Sequence, residues 1–151
     1  MALIKSISGI RGTIGGKPGE TLSPLDVVKF TAAYGKIIQA GLSRPATIVI
    51  GRDGRISGEM VRNLVVNTLI AQGIDIIDLG LSTTPTVEVA VKMEKADGGI
   101  IITASHNPRE WNALKLLNSE GEFISAETGA KVLEDILGLR GTTPIDPRPA
   151  R

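Results

Sequence analysis

Three short apolar segments, at residues 46–50, 74–79 and 98–103, constrain the fold more than any other feature of this chain. They are rich in isoleucine and valine, and the first is a continuous apolar run, the pattern of a strand inside a largely parallel sheet. Helical signals alternate with them. Ser23-Pro24 supplies a capping hydroxyl and a proline at the first helical position. Val27, Val28, Ala32, Ile37 and Ile38 then recur at roughly helical spacing until Gly41. Residues 60–71 read as a second helix stopped by Gly73, and Thr84-Pro85 opens a third that runs to Lys95. That helix has Val87, Val89, Ala90, Val91 and Met93 available for its buried side. A first strand is expected at 2–7, followed by a glycine-rich loop at 8–19. A further strand is expected at 113–117, with a turn at 118–121 and a last helix, capped by Ser125, at 126–139. The alternation implies a single domain with a three-layer α/β/α sandwich and a largely parallel sheet, mixed if the strand at 113–117 joins it.

Composition narrows what such a domain does. With 151 residues the chain is long enough to bury a real core. Its 17 basic and 16 acidic side chains are interspersed, so there is no basic footprint for nucleic acid and no polybasic membrane patch. Aromatic residues make up only 3%, too few for a base-stacking platform. Cysteine is absent, which removes disulfides, thiolate metal sites and sulfur redox chemistry. No apolar run is long enough to span a bilayer, and residues 1–10 lack the basic start and long apolar core of a signal peptide. Neither a nucleic acid nor a membrane is expected as a partner, and the expected location is cytoplasmic.

Candidate chemistry concentrates in Thr103-Ala104-Ser105-His106-Asn107-Pro108, which follows Gly99-Ile100-Ile101-Ile102. A serine and the only histidine of the chain thus leave the end of a buried strand, where open α/β sheets bind their ligands. Ser, Asn and Pro are also ordinary turn residues, so the loop alone supports a structural role as well as a chemical one. A Ser-His-Asp triad fits poorly, because an adjacent histidine on one loop turns its ring away from its neighbour. The glycine-flanked serine of α/β-hydrolases is missing as well. A dinucleotide-binding domain ranks last, since the Gly-x-Gly-x-x-Gly turn is absent after the first strand.

The six-residue serine motif, followed by Asn112 and Lys115, resembles the phosphoserine loop of the α-D-phosphohexomutases, the family of phosphoglucomutase, phosphomannomutase and phosphoglucosamine mutase. Ser8-Gly9-Ile10-Arg11-Gly12 is similar to the family's N-terminal glycine-arginine loop. Gly51-Arg52-Asp53-Gly54-Arg55-Ile56-Ser57-Gly58 resembles its second loop, and Thr83-Thr84-Pro85 its third. Two positions depart from the common pattern: Gly54 stands where threonine is frequent, and Ala113 where glycine usually follows the asparagine.

The resemblance implies that Ser105 carries a phosphoryl group as phosphoserine. It donates that group to a hexose phosphate, and a bisphosphorylated sugar returns its other phosphate. Lys115 corresponds to the general acid/base, and Arg11 to a bidentate phosphate donor. His106 and Asn107 correspond to positions that hold the loop and contact the phosphoryl group or sugar. For each of these residues a plain alternative stays open: a surface charge for Arg11, a solvated strand lysine for Lys115, turn formation for His106 and Asn107. Arg52, Asp53 and Arg55 are expected to buttress the serine loop through ion pairs, and Trp111 to pack over it.

In the family Mg²⁺ binds one phosphoserine oxygen, here on Ser105, and three aspartates of an Asp-x-Asp-x-Asp motif in the second of four domains. No such motif occurs here, and Asp75 and Asp78 read as ordinary strand residues. The expected organisation is therefore domain I at 1–140 and, at 141–151, a proline-containing linker to a missing domain II. The expected partners are a hexose phosphate (of glucosamine, mannose or glucose) and the other domains of the same polypeptide, with the fragment alone close to inactive. A non-catalytic phosphate-binding or scaffold domain that retains the mutase fold is the alternative.

Overall fold

The computed structural model describes residues 3–6 and 9–138. The elements run β1 (Leu3–Ser6), β2 (Gly9–Thr13), α1 (Pro24–Gln39), β3 (Thr47–Arg52), α2 (Gly58–Ala71), β4 (Asp75–Leu81), α3 (Thr84–Met93), β5 (Gly98–Ile102), β6 (Trp111–Leu117) and α4 (Ala126–Gly138). One six-stranded sheet has the order β1-β2-β6-β5-β3-β4. β3 pairs in parallel with β4 and β5, whereas β6 joins β5 antiparallel and continues through β2 to β1. The expected α/β/α sandwich is observed, and the strand at the end of the serine loop does join the sheet and make it mixed.

Helix ends follow local chemistry. Ser23 and Asp26 form a reciprocal capping box at the start of α1, with Pro24 in the first turn. Thr83 caps α3 by accepting from the Thr86 amide. That helix stops at Met93, short of Lys95, which adopts a left-handed φ of 51°.

Strand order decides which helix covers which face. The chain passes from β3 to β4 in one direction and back across β3 to β5 in the other, and crossovers of constant hand then set α2 and α3 on opposite faces. On one face α1, α2 and α4 bury Ile48, Ile50, Ile100, Ile102, Leu114 and Leu116. On the other, Val87 and Val91 of α3 cover Val49, Ile101 and Leu117. Each such side chain contributes roughly 1.5–3 kcal/mol through burial.

Three expectations need correction. The loop expected at 8–19 contains β2, whose Gly9 lies so close to β6 that a Cβ there would sit 2.0 Å from the Leu114 carbonyl oxygen. The buried stripe of α1 is Val27, Phe30, Ala33 and Tyr34; Val28 is exposed, because positions 27, 30, 31 and 34 share the face that meets the sheet. On α3 only Val87 and Val91 are fully buried, one turn apart, while Val89 and Met93 are 56% and 76% exposed. Smaller differences lie at element ends: β3 continues to Arg52, β6 begins at Trp111 and α2 begins at Gly58, each two residues beyond the expected limit. The linker expected at 141–151 lies outside the described residues.

Candidate active site

The second loop and the serine loop leave the carboxyl ends of the adjacent strands β3 and β5. This is the point where strand order reverses, the usual place for a ligand crevice in such sheets. The serine loop then turns back into β6, so the strand that receives it runs antiparallel and passes beneath it.

Ser105 is exposed and has φ 50°, in the left-handed region. For a residue with a Cβ that conformation costs roughly 1–2 kcal/mol, and such strain persists where surrounding contacts over-determine it. Here they do. The Ser105 amide donates to Thr103 Oγ1 at 3.1 Å, and Thr103 donates to Asp53 Oδ2 at 2.5 Å. The Ser105 carbonyl accepts from Arg55 at 2.8 Å. The Asn107 amide closes the turn on the Ala104 carbonyl at 3.0 Å.

Lys115 supplies the second functional group. It pairs with Ile101 across β5 and with Gly9 across β2, on the face that α3 covers further along the sheet. Its Nζ donates to Ser105 Oγ at 2.8 Å. An ammonium at that distance stabilises negative charge on the oxygen and can give it a proton.

Arg11 lies opposite Ala113 in the β2–β6 pair. Directly paired residues share a face of the sheet, so Arg11 stands on the same side as Lys115, one pair further along. It is exposed, and among the described residues its guanidinium makes no hydrogen bond or ion pair. The same holds for the exposed His106 ring and for the side-chain amide of the half-buried Asn107. The structure therefore brings Ser105 and Lys115 together and leaves Arg11, His106 and Asn107 with unused donors near them in the fold.

The charged trio of the second loop divides its labour unequally. Asp53 accepts from Thr103, from the Arg55 amide and from Arg55 Nε. Among the described residues, Arg52 reaches only the carbonyl of Asp53 in its own loop. Arg55 binds carbonyls of the serine loop directly, where ion pairs alone were expected. Thr103 is a further link with no place in the sequence expectation, although a hydroxyl two residues before a turn position is a familiar backbone acceptor. Behind the loop, buried Asn112 donates to Ser57 Oγ at 2.9 Å, tying β6 to the start of α2. A side chain at Gly54 would meet nothing within 4 Å, so that departure from the family pattern leaves these contacts intact.

Mg²⁺ requires near-octahedral oxygen ligation. Among the described residues no three His, Asp or Glu side chains form a cluster, and Asp53 is engaged by Thr103 and Arg55. A phosphate on Ser105 offers one ligand. These residues do not fit a magnesium site by themselves.

The fold and the Ser105–Lys115 pair define an α/β/α domain that presents a serine hydroxyl to a lysine at a strand end. The chain belongs to the phosphoglucomutase/phosphomannomutase family, whose alpha/beta/alpha domain I model matches residues 3–140. A phosphoglucomutase/phosphomannomutase of Thermococcus kodakarensis is 40% identical over 126 residues, covering 82% of this chain and 27% of that protein. A phosphoglucosamine mutase of Ligilactobacillus salivarius is 38% identical over 120 residues, covering 79% and 26%. A solved chain described as a phosphomannomutase of Thermus thermophilus superposes with a TM-score of 0.76 at 25% identity, covering 90% of this chain and 30% of that one. The chain thus spans about a quarter of the length of the curated relatives it matches. The family is one of enzymes, the phosphohexomutases, and this chain is its domain I.

Proposed function

We propose that this domain carries the transferable phosphoryl group of a phosphohexomutase on Ser105, for interconversion of hexose 1-phosphates and 6-phosphates. The observation that carries the reading is the 2.8 Å hydrogen bond from Lys115 Nζ to Ser105 Oγ. In the forward half-reaction a sugar hydroxyl forms a bond to phosphorus as the phosphorus–Oγ bond breaks. Oγ takes a proton from Lys115, and the sugar hydroxyl releases its own to solvent. In the return step Oγ forms a bond to the other phosphorus of the bisphosphorylated sugar as the bond from that phosphorus to the sugar oxygen breaks. The Oγ proton goes back to Lys115, and the departing sugar oxygen takes up a proton from solvent. Phosphoryl transfer depends mainly on positioning and charge neutralisation, so Arg11 and His106 on the open side of the site suit phosphate or sugar oxygens. A non-catalytic scaffold would not require a strained serine in hydrogen bond with a lysine.

Incubation of the full-length enzyme with a hexose 1,6-bisphosphate, followed by digestion and mass spectrometry, tests the reading. The expected result is one phosphate on the peptide containing Ser105, and none in Ser105→Ala. In the full-length enzyme Ser105→Ala should lose more than about a thousandfold in turnover, as removal of a nucleophile does. Near-normal turnover in that variant would remove Ser105 as the carrier.

A further inference from the structure

Building on the carrier reading, we propose that Arg55 is a positioning residue that sets the pose of Ser105 and thereby the rate of phosphoryl transfer. One of its terminal nitrogens donates to the Pro108 carbonyl at 2.7 Å and the Trp111 carbonyl at 3.1 Å. The other donates to the Ser105 carbonyl at 2.8 Å and the Asn107 carbonyl at 2.9 Å. Nε faces Asp53 Oδ2 at 3.4 Å. A guanidinium has five N–H donors in a fixed planar fork, and these five contacts occupy all of them.

The convergence matters more than the number of bonds. Four carbonyl dipoles from residues 105, 107, 108 and 111 point at one place, an arrangement that repels itself unless a cation sits there. The serine loop is in effect wound around the guanidinium. Its exit from β5 and its entry into β6 at Trp111 are held by the same planar group.

Both backbone polar atoms of Ser105 end on the Asp53–Arg55 pair. The carbonyl reaches Arg55 directly, and the amide reaches Asp53 through the Thr103 hydroxyl. This two-point hold keeps the residue at φ 50° and turns its hydroxyl toward Lys115. Arg55 itself touches no reacting atom; its terminal nitrogens are committed to the serine loop and its Nε to Asp53.

The test compares Arg55→Ala and Arg55→Lys in the full-length enzyme, with thermal melts to verify folding. A misplacement of about 1 Å costs on the order of a hundredfold in rate, so kcat should fall by about that factor while KM for the hexose phosphate changes little. Added guanidinium should restore part of kcat in Arg55→Ala and nothing in Ser105→Ala. Arg55→Lys should stay impaired, because an ammonium is a point donor and cannot span four carbonyls. If Arg55→Ala does not fold, Arg55→Lys alone decides. Wild-type kcat in either variant, or a loss confined to KM, would overturn the proposal. Phosphate on Ser105 of the wild-type enzyme separates the two readings: its absence removes the carrier itself, whereas its presence with full kcat in Arg55→Lys removes only the positioning role.

Discussion

The two halves of the sheet are built to different rules. In the parallel half, β5 is buried at every residue and lies between α1, α2 and α4 on one face and α3 on the other. In the antiparallel half, β1 is largely exposed and β2 presents Arg11 to solvent. The contrast shows where chemistry can reside. A strand covered twice has no room for a substrate, whereas the uncovered side of β2 and β6 leaves Arg11 and Lys115 reachable. Ser105 sits on the loop that joins β5 to β6, fixed by contacts from the buried half and facing the open one.

The sharpest way to break this comparison is to remove the functional group that the open half contributes. Lys115→Met in the full-length enzyme should lower kcat by roughly 10²- to 10⁴-fold, the usual contribution of a proton-transfer group. Its effect on KM should be small, and a steady-state kinetic comparison reads both. Retained kcat would leave the open face without a catalytic part.

A stability pair sharpens the same contrast. Ile100→Ala in β5 deletes a side chain with no exposed surface and should cost about 2–5 kcal/mol. Ile4→Ala in β1 changes a residue that is 37% exposed and should cost less than about 1 kcal/mol. Denaturant titration of both variants measures the difference, and equal losses would show that the halves are equally packed.

The smallest effect lies at the far end of the parallel half. Arg44 holds Asp97 with two hydrogen bonds of 2.8 Å, and Asp97 also accepts from the Thr47 amide. The Arg44 hydrogen bonds keep the Asp97 carboxyl below its ordinary pKa, against a smaller opposing push from burial. Folding therefore favours the ionised form. The stabilisation is complete above the ordinary carboxylate pKa of about 3.9 and is lost as pH falls through the lower folded value. Asp97→Asn should melt below the wild type near neutral pH, with the gap closing in acid. Melting curves that stay parallel across that range would contradict the assignment.

Legibility in the sequence follows the same division. The strands of the parallel half announce themselves through Ile48-Val49-Ile50 and Ile100-Ile101-Ile102, because burial on both faces demands continuous apolar residues. β2 carries glycines at 9 and 12 around an arginine and has neither alternation nor an apolar run; only its two neighbours make it a strand. At the site, the serine motif and Lys115 are readable as residues, but not the contact between them. Ten positions separate the two, and their meeting depends on the β5–β6 register. The work of Arg55 is hidden for a related reason. Its partners are backbone carbonyls, which every residue possesses and no side-chain pattern reveals.

Tyr34 gives the seam between the halves a further property. Its buried hydroxyl accepts from the Gly99 amide and donates to the Leu117 carbonyl, so one phenol from α1 bridges β5 and β6 at a residue pair in register. Burial raises its pKa well above the ordinary phenol value, which keeps the proton in that bridge across the physiological range. The strand that delivers Ser105 and the strand that carries Lys115 are thereby locked against sliding past each other. The Ser105–Lys115 pair is therefore preassembled in the fold, its geometry fixed by a phenol on the far side of the sheet seam.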